Sequence, residues 1–152
     1  MSGRKAKGPI RKADPVLFVR AYREFPSAPA ASWGSVGDEE TGKFVILVRR
    51  EEIHLVLSPV AFTPYHADIV RQYLQAEGRG RVEGASASGC RILSPEWSVH
   101  GGGHFAIQHW LHHLRLHGKS SAFGRYEEAR LSPFLDDIPA RLGLEGYTLE
   151  LV

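Results

Sequence analysis

The chain has 152 residues, 43% hydrophobic and 24% charged, enough for one domain with a core and too balanced for a disordered or fibrous protein. Its longest apolar runs, such as Phe44-Val45-Ile46-Leu47-Val48, fall far short of the roughly 18 residues of a membrane-spanning helix. The formal charge of +2 is uneven, because Arg4, Lys5, Lys7, Arg11 and Lys12 crowd the start without an acid and leave 14 basic against 17 acidic residues elsewhere.

Residues 1–14 therefore read as a basic, solvated and disordered tail on a slightly acidic body, a balance that argues against a nucleic-acid-binding fold. Neither nucleic acid nor a membrane is the expected partner. In Val16 to Ala21, residues Val16, Phe18 and Arg20 alternate with Leu17, Val19 and Ala21, which predicts a strand. Residues 25–42 are rich in Pro, Ala, Ser and Gly and read as a long mobile connection. Lys43 to Arg50 and Ile53 to Leu57 are β-branched and aromatic, two neighbouring strands separated by Glu51-Glu52.

Thr63-Pro64 predicts a helix start, with Thr63 as the cap, Pro64 tolerated at the first position and His66 in the first turn. Tyr65, Ile69, Tyr73 and Leu74 recur at helical spacing and Gly78 closes the segment. Residues 78–89 are a loop or weak strand. Arg91 to Val99 and His104 to Gln108 read as strands around Gly101-Gly102-Gly103, and His112 to His117 as another. Ser132-Pro133 begins a second helix through Phe134, Leu135, Ile138 and Leu142, with Pro139 as a kink or stop, and Tyr147 to Val152 is a final strand. The expected fold class is α/β, a single-domain mixed β-sheet of about six strands with two main helices, over residues 15–152. A lone Cys90 and the lack of an apolar leader make a reducing, cytoplasmic location the expectation.

Six of the eight histidines lie between His100 and His117. The pairs His109/His112 and His113/His117 have spacings seen in metal sites. On a strand, however, the first pair points to opposite faces and the second lies about 13 Å apart. Surface histidines around a functional groove are the simpler reading, and neither metal nor cofactor is expected. His66 differs by its position. A helix start disfavours an imidazolium and leaves a neutral nitrogen able to act as nucleophile or base, the plainer alternative being a His that packs beside Tyr65. Asp68 either orients that ring or complements the helix dipole. Gly118-Lys119-Ser120-Ser121-Ala122-Phe123-Gly124 is a small-residue loop whose amides and hydroxyls suit a phosphoryl group, without the spacing of a nucleotide-binding loop.

Together, Tyr65-His66-Ala67-Asp68-Ile69, the ungapped stretch from Gly101-Gly102-Gly103 to the G-x-S-x-A-F-G loop, Gly42-Lys43-Phe44-Val45-Ile46-Leu47 and Gly146-Tyr147-Thr148-Leu149-Glu150-Leu151 resemble the Janus/Ocnus family of phosphohistidine phosphatases. The resemblance covers roughly residues 15–152, with insertions at 25–41 and 76–99. It implies a metal-free hydrolase that cleaves the P–N bond of a phosphohistidine-containing protein or a small phosphoramidate, acting as a monomer. By the same resemblance His66 is the catalytic base or nucleophile, and Lys43, Ala67, Ser120, Ser121, Ala122 and His104 bind substrate. Two basic positions of the family are Ser58 and His104 in this chain, with Arg91, Arg115, Lys119 and Arg125 as candidate replacements. A phospho-protein binding module on the same fold is the alternative.

Overall fold

A computed structural model describes residues 14–23, 25, 39–59 and 65–152. The basic tail up to residue 13, residues 26–38 of the expected connection, and Thr63-Pro64 lie outside the described residues. The fold is mixed α/β, built on one eight-stranded sheet. Its spine runs β1 (Val16–Ala21), β3 (Glu52–Pro59), β2 (Glu39–Arg49), β6 (Trp97–Gln108), β7 (His113–His117) and β10 (Thr148–Leu151). The outer pairs β1/β3 and β7/β10 are parallel and the inner ones antiparallel. Two short strands, β8 (Lys119–Ser120) and β9 (Gly124–Arg125), complete the sheet through β9 beside β6. The strand count of about six was low because elements of two residues carry no periodic signal.

Alternation along β2 explains the two layers. Phe44 and Ile46 enter one core with Leu55, Leu57, Phe105, Leu114 and Leu116, covered by Leu131, Ile138, Leu142 and Leu144 from the C-terminal helices and the turn that follows them. Val45 and Leu47 enter the opposite core with Val56 and Trp97, covered by Ile69, Val70, Tyr73 and Leu74. Phe44 is fully buried, with its ring edge-on to Tyr126 at 5.0 Å. Phe44→Ala is therefore expected to cost about 3–5 kcal/mol, read as a lower urea midpoint at unchanged slope.

Several boundaries differ from the sequence expectations. Strand β2 begins at Glu39 inside the expected connection, and its turn to β3 is Arg50-Glu51, with Arg50 at φ 55°. Helix α1 (His66–Arg71) is capped by Tyr65, so His66 is its first residue, and it continues as a π-helical stretch over Gln72–Ala76 before Gly78 at φ 72° ends it. A hairpin, β4 (Val82–Ser86) with β5 (Gly89–Ile92), takes the place of the expected loop and of the start of the strand expected from Arg91, and only Trp97 onward belongs to β6. Strand β6 runs unbroken through the three glycines. A bulge there sets His100 and Gly101 opposite Ile46, and a Cβ on Gly101, which sits at φ 90°, would lie 2.2 Å from the Arg125 carbonyl. His112 is left-handed at φ 50° and precedes β7. The second helix is divided into α2 (Glu128–Leu131), a 3-10 turn at Ser132–Phe134 and α3 (Asp137–Arg141). Pro139 cannot donate a backbone bond, so it is accommodated in the first turn of a new helix.

Candidate functional site

The site sits where α1 begins, above the sheet. Tyr65 is extended (φ −117°, ψ 149°), and its N–H donates to Asp68 Oδ2 at 3.3 Å. Asp68 thus closes the helix start, and of the two roles open to it in the sequence it takes the local one. His66, only 7% exposed, donates Nε2–H to the Gly103 carbonyl at 2.8 Å. A carbonyl only accepts, so this bond places the proton on Nε2 and the lone pair on Nδ1. Burial holds the imidazole below its ordinary range, helped by Lys43 and His104 and opposed by the Gly103 bond.

Gly102 explains how the ring comes so close to β6. A Cβ there would lie 2.6 Å from the Phe44 carbonyl and 3.0 Å from His66 Cδ2. The glycine lets helix and strand approach where any side chain would intervene.

A cross-strand row supplies the floor. Ser58 on β3 pairs with Lys43 on β2, Lys43 with His104 on β6, and His104 with His117 on β7, all at directly opposed positions. Opposed residues project to one face, so the row forms a polar strip beside α1. The His104 ring meets His66 edge-on at 5.6 Å and stacks on His117 at 5.9 Å. Lys43 Nζ lies 5.9 Å from the centre of the Tyr65 ring. Ser58 is fully buried and its hydroxyl donates to the Pro59 carbonyl.

The serine loop forms the other wall. Ser120, 2% exposed, accepts the N–H groups of Ala122 and Phe123 at 3.2 and 3.1 Å, which curls the loop around its hydroxyl. A cavity of about 270 Å³ lies between these walls. Lys43, His66, His104, Ser121 and Ala122 line it, as do Tyr65, Lys119 and Ala87. Ala67 and Ser120 are buried behind the lining. Five of the seven predicted site residues therefore meet in one cavity, and the other two shape the segments that present it.

Tyr65 and Ala87 are the lining residues that sequence reasoning missed. An aromatic just before a helix start, 46% exposed, was the available signal for Tyr65. Ala87 had none, since it reaches the site from the turn of the β4–β5 hairpin. Of the four candidate replacement cations, Arg91 pairs with Glu83 at 2.6 Å, Arg115 lies 3.9 Å from Glu150, and Arg125 pairs with Glu128 at 2.6 Å. Lys119 alone of the four lines the cavity.

No family model and no curated protein matches this sequence. The site is thus read from its own geometry.

The remaining histidines have other tasks. His109, 3% exposed, bridges the Tyr147 hydroxyl and Glu40, and His54, 1% exposed, bridges Tyr73 and Glu52. His113 lies 3.2 Å from Glu150 and His100 2.9 Å from Glu127. Among the described residues, no three His, Cys, Asp or Glu side chains gather as a ligand set. A wider groove of about 400 Å³ beside β1 is lined by Arg20, Arg23 and Arg141. Each of these is committed: to Glu77, to Glu40 and to the Leu17 carbonyl, respectively. Among the described residues no helix is long and apolar enough to cross a membrane.

Proposed function

We propose that this protein is a metal-independent phosphatase that hydrolyses the P–N bond of phosphohistidine in a protein, or of a related phosphoramidate. The observation that carries this is His66, held neutral with its proton committed to the Gly103 carbonyl, in a cavity it shares with Lys43, Lys119 and the serine loop. In this scheme the Nδ1 lone pair is the basic atom of the site. It either attacks phosphorus, the P–N electron pair leaving on the departing nitrogen, which takes up a proton from water, after which a second water breaks the Nδ1–P bond and releases phosphate, or it removes a proton from a water that attacks phosphorus directly. Lys43 and the loop around Ser121 and Ala122 offset the charge that gathers on the phosphoryl oxygens. Among the described residues the cavity lining holds no carboxylate to repel that group.

A binding module without turnover is the second reading. It is favoured by Ser58, which stands directly beside Lys43 and adds no charge there. Hydrolysis of a phosphohistidine peptide and of free phosphoramidate, followed by phosphate release with and without chelator, separates the two. The phosphatase reading expects turnover unaffected by chelator and reduced at least about tenfold in Lys43→Ala, chiefly through KM. Saturable binding of the peptide with no phosphate release would instead establish the binding module.

A further inference from the structure

The electrostatic composition of the cavity goes beyond one catalytic histidine and one lysine. Lys43 and Lys119 reach it from different strands, β2 and β8, and His104 lies in its lining with His117 stacked behind. Adjacent strands are about 4.8 Å apart, so Lys43, His104 and His117 follow one another at strand spacing across the floor. Lys119 has no acidic partner among the described residues, whereas the neighbouring arginines are paired. Two imidazoles stacked at 28° beside two ammonium groups disfavour a proton there. An anion seated among them reverses that balance.

We propose that Lys119 and the stacked His104–His117 pair form the anion-holding wall of this cavity, so that binding of a tetrahedral oxyanion draws a proton onto the imidazole pair. The inference rests on the phosphoryl site proposed above and specifies how that site takes its charge. The groups that face the pair are consistent with it. Lys43 comes from β2, His66 from α1, Lys119 from β8 and Arg115 from β7 itself. On the β10 side, Glu150 is turned to His113 and Arg115 instead. On β9, Arg125 is bound to Glu128 and the Gly118 carbonyl. Burial, then the neighbouring imidazole and Lys43, hold His104 below the ordinary range, and burial with Arg115 does the same for His117. Both are therefore neutral at pH 7 and available to take up a proton. The consequence is an affinity for oxyanions that rises as pH falls from about 8 to about 6.

Sulfate is the suitable probe, because it remains a dianion throughout that range and is not hydrolysed. Titration calorimetry of the full chain at about pH 6.5, in two buffers of different ionisation enthalpy, reads the proton directly. The wild type is expected to bind sulfate with a buffer-dependent heat corresponding to net proton uptake. His104→Gln should abolish most of that buffer dependence. Lys119→Met should lower affinity about tenfold while keeping the proton uptake. Failure of sulfate to bind, equal heats in both buffers, or wild-type affinity in Lys119→Met would each overturn the proposal. Proton-coupled sulfate binding in a protein that releases no phosphate would retain this inference and remove the hydrolase reading. Hydrolysis with buffer-independent sulfate binding would do the reverse.

Discussion

His66→Ala is expected to lower kcat for phosphoramidate or phosphohistidine hydrolysis by at least about a hundredfold, with far-UV circular dichroism and sulfate binding largely retained. The expectation follows from the arrangement of one ring. Its Nε2–H is bound to the Gly103 carbonyl, so the basic function of the site resides on Nδ1, and alanine removes that atom without altering Lys43 or the serine loop. Activity surviving in the variant would defeat the mechanism.

The pH profile of the wild type is a second measure of the same ring. Only neutral His66 can act, and burial, then Lys43 and His104, keep its pKa below the ordinary imidazole value of 6.5. A group whose proton affinity is depressed stays neutral to lower pH. At saturating substrate, where a change in oxyanion affinity no longer enters the rate, activity should accordingly be level through neutral pH and fall on the acid side below 6.5. Loss of activity centred at or above the ordinary imidazole value would show that another group titrates.

Gly102→Ala is expected to cost about 1–3 kcal/mol and at least about tenfold in kcat. The added Cβ would stand 2.6 Å from the Phe44 carbonyl, 3.0 Å from His66 Cδ2 and 3.4 Å from Ser120 Cβ. It would have to push apart β2 and the His66 ring, with the Ser120 side chain already at contact distance. Gly143→Ala is the control. That residue sits at φ 74° with nothing within 4 Å of its would-be Cβ, so it should lose about 1–2 kcal/mol from backbone strain with kcat unchanged. Equal effects of the two substitutions on kcat would mean that Gly102 serves the backbone alone, and that its closeness to His66 is without functional weight.

Much of the architecture was legible in local patterns. Val16 to Ala21, the core of β2 and β3, the apolar stripe Ile69, Tyr73 and Leu74, and the terminal strand all follow from periodicity, because a buried face must recur at the spacing of its element. Boundaries were less legible wherever a local signal competed with pairing. The three glycines suggested an interruption, yet β6 continues through them, since their lack of side chains is what lets β9 and His66 approach a strand held on both edges. Ser132-Pro133 reads as a helix start and Pro139 as a kink or stop, yet α2 already begins at Glu128 and the break falls ahead of Asp137, which only the packing of the helices decides.

The site shows the same division. The sequence by itself determined the chemical inventory: a histidine at a helix start, a lysine on an early strand, and a loop of small residues able to curl on a serine. Each is a local property of a short segment. Which nitrogen of His66 keeps its lone pair, that Lys119 rather than an arginine enters the cavity, and that Ala87 closes it from the β4–β5 hairpin were decided only by the tertiary structure. These depend on contacts between residues far apart in the chain, such as His66 with Gly103 and Lys43 with His104. No local pattern encodes a register between distant strands. Burial and opposing charge act only after that register has brought the groups together.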